Sequence, residues 1–197
     1  MNTKKIDYVE GGITFEGYYA CDDSNTSKKP AILVAHDWSG KNEFACQKAE
    51  RLAELGYVGF AIDMFGKGKS GKTKEEKSAL IQPLVQDRSL LLKRILAAFD
   101  TVKKLDHVDA SRIGAIGFCF GGLCALDLAR SGADVKAVVS FHGLLNAPEG
   151  LPKHTIKANI LALHGFDDPM GTPDAVIAFG REMTEAKANW QLDIYGK

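Results

Sequence analysis

Three observations predict an α/β fold with a mostly parallel sheet. Short runs rich in Val and Ile alternate with longer stretches of helical spacing along the whole chain. The central runs, such as AILVA at 31–35, are apolar throughout rather than at every second residue, as strands covered on both faces are. No repeat or low-complexity linker interrupts this alternation, so the 197 residues read as one domain over 1–197.

Residues 6–9 and 13–19 read as an opening antiparallel hairpin turning at Gly11 and Gly12. Strands follow at 31–35 and 57–62, with a helix between them over 42–55 that stops at Gly56. A Lys-rich stretch leads into a long helical segment over about 73–105, predicted to break near Pro83. Further strands are predicted at 112–116, 135–141, 160–163 and 190–195, with helices over 121–129 and 173–186.

Hydrophobic residues make up 45% and charged residues 25%, with 25 basic against 25 acidic side chains. A balanced chain offers no basic excess for nucleic acid or an anionic membrane. No apolar run approaches the roughly 18 residues of a membrane span, and the first dozen residues hold no apolar signal core. Four scattered cysteines, Cys21, Cys46, Cys119 and Cys124, form neither a CxxC pair nor a metal-ligand set. The chain therefore reads as cytoplasmic, without a structural zinc site, and a monomer or dimer.

In an open parallel sheet the chemistry lies beyond the carboxyl ends of the strands. The strand RIGAI runs into Gly117, Phe118, Cys119, Phe120, Gly121 and Gly122 and then into the helical LCALDLA. This G-x-C-x-G between strand and helix matches the nucleophile elbow of α/β-hydrolases, with cysteine for serine. Glycines two residues either side suit a turn too tight for a Cβ. Cys119 would then stand at a helix N-terminus, where N–H groups favour thiolate. The Phe120 N–H would face an oxyanion, and Trp38, in the loop after AILVA, would give the second donor. Buried in a helix body, Cys124 reads as packing.

A thiol nucleophile needs a histidine to move protons and a carboxylate to orient it. The strand NILAL leads into HGFDDP, where Asp168 is the acid and Asp167 its reserve. Asp37 would point towards the thiol or help enter the next helix. His36 and His142 could line the pocket, though each also suits a satisfied structural role. In this fold's order the histidine follows the acid, yet all five histidines precede Asp168. The triad histidine is expected just after Lys197, on a loop leading to a closing helix.

The runs AHDWSGKN, AIDMFGKG, IGFCFGG and LHGFDDPM together make the sequence resemble the dienelactone hydrolase family, the cysteine branch of the α/β-hydrolases. The resemblance covers essentially the whole chain. It implies a cytoplasmic carboxylic-ester hydrolase with a Cys-His-Asp triad, no metal and no cofactor. It also implies Cys119 as nucleophile and Asp168 as acid. Asp37 stands where the family typically has glutamate, Phe65 where many members have tyrosine, and Lys67 near a basic position used for the substrate carboxylate. An ester or lactone is the expected small-molecule partner, cleaved through an acyl-thioester.

Two other functions are carried. Residues 66–73 (GKGKSGKT), opening on Gly66 and closing on Thr73, satisfy the phosphate-loop pattern after a strand and before a helix, which would make a nucleotide binder. A hydrolase-fold protein that only binds a small molecule or partner is the third reading.

Overall fold

A computed structural model describes residues 1–24 and 27–196. Strands β1 (Asn2–Glu10) and β2 (Ile13–Cys21) form the antiparallel hairpin. Gly11 and Gly12, at φ 55° and 76°, make a turn whose twist matches that of its strands. After β3 (Lys29–Ala35) comes α1 (Glu43–Glu54), capped by Asn42, whose side chain accepts the Ala45 N–H. Then follow β4 (Val58–Ala61), α2 (Lys74–Gln86), α3 (Arg88–Lys103), β5 (Val108–Phe118) and α4 (Phe120–Arg130). The described chain closes with β6 (Ala137–Phe141), β7 (Asn159–Gly165), α5 (Pro173–Glu185) and β8 (Asn189–Tyr195).

The eight strands form one sheet in the order β1-β2-β4-β3-β5-β6-β7-β8. The hairpin joins it antiparallel through β2 and β4, and every pair from β4 to β8 is parallel. This is an α/β-hydrolase sheet, as the sequence predicts.

Two expected boundaries move, the first being β5, which starts at Val108 rather than 112. The break between α2 and α3 falls at Asp87, and Pro83 lies inside α2. Asp87 ends the first helix because its carboxylate accepts the Leu90 N–H and so starts the second.

The two faces of the sheet differ. The main core lies beneath α3, α4 and α5, where Leu33, Ala115, Val138, Ile160 and Phe179 are buried together. Each large side chain buried there contributes about 1.5–3 kcal/mol. On the opposite face α1 sits close over β2, β3 and β4 through Ala45, Ala49 and Ala53, and no Cβ would fit at Gly59 against the Ala49 carbonyl. Further along that face Ile116, Phe118, Val139, Phe141, Leu161 and Leu163 are only half-buried. No helix among the described residues is long and apolar enough to cross a membrane.

Candidate active site

The carboxyl ends of β3, β4, β5, β6 and β7 converge on one rim of the sheet, and Cys119 stands at its centre. It is half-buried, with φ 55° and ψ −117°, a backbone that a non-glycine residue rarely adopts. Crowding enforces it. A Cβ at Gly117 would collide with the Gly121 carbonyl, and one at Gly121 would collide with the Ala35 carbonyl of β3. The Cys119 N–H donates to the Phe141 carbonyl at 2.9 Å, tying the elbow to the end of β6.

Burial raises the Cys119 thiol above its ordinary range. The Phe120 N–H, donating to the sulfur, opposes this, while the carboxylates of Asp37 and Asp168 reinforce it. Burial thus works against the thiolate that the helix N-terminus alone would favour.

Asp168 follows β7, with its side chain 16% exposed, whereas Asp167 is exposed. One oxygen of Asp168 accepts the Met170 N–H at 2.9 Å. The other lies 4.0 Å from Nδ1 of His142, which is 60% exposed and sits at φ 43° just beyond β6. Sequence reasoning did not pair these two, because only the strand order brings them together.

Asp37 folds back on its own loop, accepting the Ser39 N–H at 2.7 Å, and leaves the capping of α1 to Asn42. The Trp38 ring is packed against the core, with the Lys77 ammonium 5.5 Å from its centre. His36 is fully enclosed. Its Nδ1 bonds the Asp37 carbonyl at 2.6 Å and its Nε2 accepts the Met64 N–H at 3.1 Å, which fixes a neutral Nδ1–H tautomer. Burial lowers its pKa, consistent with a structural latch.

Phe65 is buried, edge-on to His36 at 4.8 Å and stacked with Phe120 at 5.7 Å. Lys67 puts its ammonium on Asp7 at 2.6 Å, with Glu16 at 3.7 Å. A brace unsuspected from the sequence is Asp63. Its carboxylate accepts the N–H groups of Phe65, Gly66 and Glu16, and Tyr8 clasps its backbone through N–H and C=O together.

In the 66–73 loop, the N–H groups of Lys72 and Thr73 donate to the Glu76 carboxylate, while the Thr73 hydroxyl accepts the Glu76 N–H. The helix N-terminus that a phosphate would need already holds this chain's own anion. No group of His, Cys, Asp and Glu suited to a metal ion occurs among the described residues. A cleft of about 740 Å³ opens between residues 147–156 and α5, reaching Arg130 at the far end of α4. That is about 15 Å along the helix from Cys119, and Arg130 is held there by Glu182 and Asp127.

Solved structures share this arrangement of elements. A dienelactone hydrolase-like promiscuous phosphotriesterase from metagenomic libraries superposes with a TM-score of 0.91 at 34% identity, covering 100% of this chain and 82% of that one. A dienelactone hydrolase from Anabaena variabilis gives 0.71 at 25% identity, covering 100% and 86%. Among curated proteins, the "Probable 2-oxo-3-(5-oxofuran-2-ylidene)propanoate lactonase" of Bradyrhizobium sp is 28% identical over 98% of this chain and 82% of its own. The model of the dienelactone hydrolase family matches residues 15–197. Fold and family together support hydrolysis of lactones or esters, and the chain belongs to the dienelactone hydrolase family.

Proposed function

We propose that the protein hydrolyses a carboxylic ester or lactone through Cys119 and an acyl-thioester intermediate. The observation that carries this reading is the half-buried Cys119, held at φ 55° between two glycines that tolerate no Cβ. A backbone so strained persists only where its surroundings impose it, and here it lifts one sulfur clear of the sheet.

The triad histidine takes the thiol proton, and later gives it to the leaving oxygen, while sulfur attacks the carbonyl carbon and the carbonyl π pair moves to oxygen. The N–H groups of Phe120 and Trp38 face that oxyanion. Its collapse expels the alkoxide or enolate and leaves the thioester, which water then cleaves. Asp168 is the orienting acid, and Asp37 tunes the thiol. The resemblance to a phosphotriesterase supports a second substrate class, since a thiol poised for a carbonyl can also attack a phosphorus that bears a good leaving group.

Hydrolysis of p-nitrophenyl acetate by the full chain and by Cys119→Ala tests the reading, with diethyl p-nitrophenyl phosphate run alongside. The variant is expected to fold normally and lose turnover of every substrate the parent accepts. Equal rates in the two proteins would make Cys119 structural and move the non-catalytic binding protein to the front.

A further inference from the structure

The run 66–73 has the spacing of a phosphate loop, yet the helix N-terminus it leads to is filled by Glu76. Its backbone lies instead against the loop that follows β3. The Gly71 N–H donates to the Ser39 carbonyl at 3.0 Å. One residue on, Gly40 sits at φ 101°, and a Cβ there would meet the Lys69 carbonyl at 3.0 Å and the Ser70 Cα at 3.2 Å. One residue back, the Trp38 ring has the Lys77 ammonium 5.5 Å from its centre. Trp38, Ser39 and Gly40 are thus held in succession by one short stretch, 69–77.

That stretch is itself fixed. Gly71 is buried, and a Cβ on it would come within 2.7 Å of the Lys77 backbone nitrogen, so it lies flat on the first turn of α2. The Glu76 carboxylate accepts the Lys72 N–H at 2.7 Å and the Thr73 N–H at 3.2 Å, which ties the end of the loop to that same turn. On its other side the β3 loop meets the elbow. A Cβ at Gly121 would lie 2.6 Å from the His36 carbonyl, and the Asp37 charge reaches the Cys119 thiol. The Asp37 carboxylate bonds the Ser39 N–H, a contact that shapes the loop from within and leaves its place to its neighbours. The β3 loop is therefore wedged between the elbow and the 69–77 stretch.

We propose that residues 69–77 set the position of the Trp38 N–H that receives the oxyanion, with Gly71 and Glu76 as positioning residues. This rests on Cys119 attacking a carbonyl. The stretch makes and breaks no bond. It keeps a donor aimed at the point where charge develops, and a misplacement of about 1 Å there can cost 100-fold in rate. The glycine that completes the phosphate-loop pattern is present because Gly71 must approach Ser39 and α2 together.

Gly71→Ala is the direct test, since its methyl group must push the chain off the Lys77 backbone and away from Ser39. Glu76→Ala is the second variant should the first unfold. Glu76→Gln is the rescue, because glutamine still accepts the freed N–H groups. Each is compared with the parent and with Cys119→Ala in two reactions. Hydrolysis of p-nitrophenyl butyrate passes through an oxyanion. Alkylation of Cys119 by iodoacetamide, read by mass spectrometry of its peptide, displaces iodide at a saturated carbon and forms none. In Gly71→Ala and Glu76→Ala, kcat on the ester is expected to fall about tenfold or more, with KM and the alkylation rate within twofold of the parent. Glu76→Gln is expected to recover most of that rate. Ester hydrolysis and alkylation falling together would mean that the elbow itself has moved. A raised KM at constant kcat would make the stretch a substrate contact, and kcat within twofold of the parent would mean that Trp38 keeps its place unaided. Each of these three results overturns the inference. If Cys119→Ala hydrolyses the ester as fast as the parent, the nucleophile reading fails. If it is inactive while Gly71→Ala keeps full kcat, only the positioning role fails.

Discussion

The two halves of the sheet meet at β3 and β5, and they treat their polar groups in opposite ways. At the ends of β3 and β4 the buried groups are satisfied. Asp63 is enclosed by three N–H donors, Tyr8 clasps its backbone, and both nitrogens of His36 are engaged. At the ends of β5, β6 and β7, Cys119 and Asp168 are only half-buried and His142 stands exposed, with ring and carboxylate 4.0 Å apart. A fully satisfied group is a good brace and a poor reagent, because leaving its partners costs more than the reaction returns. The first half therefore supplies rigid backbone, and the second supplies groups able to exchange partners.

The largest expected effect lies at the seam between the halves. Gly121→Ala would drive a methyl group into the Ala35 carbonyl of β3, where backbone and not a flexible side chain stands in the way. We expect a loss of about 4 kcal/mol or more in urea unfolding, together with loss of ester hydrolysis. A variant with an unchanged midpoint would mean that elbow and β3 do not press on one another.

Within the braced half the expected loss of stability is smaller, and activity should not change. Tyr8→Phe removes one hydroxyl and leaves the Asp63 N–H and C=O without their buried partner. The cost should be about 1–3 kcal/mol, measured by thermal unfolding, with kcat for p-nitrophenyl acetate unchanged. A large fall in kcat at full stability would show that this half takes part in the chemistry, and the contrast between the halves would fail.

The elbow was legible in the sequence because it is a local demand. A turn that admits no Cβ at two positions must carry glycine at both, and the spacing survives as G-x-C-x-G. What depends on strand order was not legible. Tyr8 and Asp63 lie 55 positions apart, and His142 meets Asp168 only because β6 and β7 are neighbours. Lys67 was read beside a substrate carboxylate. The register of the hairpin instead sets Asp7 opposite Glu16, and this pair of carboxylates takes the ammonium. The break at Asp87 in place of Pro83 has the same lesson at short range, since a side-chain cap outweighed a breaker that a helix can absorb.

The smallest effect asks whether the braced half reaches the reactive one at all. Asp37 belongs to the loop after β3, yet its charge helps raise the pKa of the Cys119 thiol. A carboxylate near a thiol opposes the thiolate, so Asp37→Asn should lower that pKa and raise the thiolate fraction at any fixed pH below it. Asparagine can still accept the Ser39 N–H, so the loop should keep its turn. A fall of a few tenths of a unit corresponds to about twofold faster alkylation by iodoacetamide near pH 8. The full pH–rate curve should shift to lower pH without a change in its plateau. If the curve does not move, the field of Asp37 is screened before it reaches the sulfur, and the braced half acts on the thiol through backbone alone. A shift to higher pH would mean that Asp37 favours the thiolate, which a carboxylate can do only by holding a cation or a donor against the sulfur.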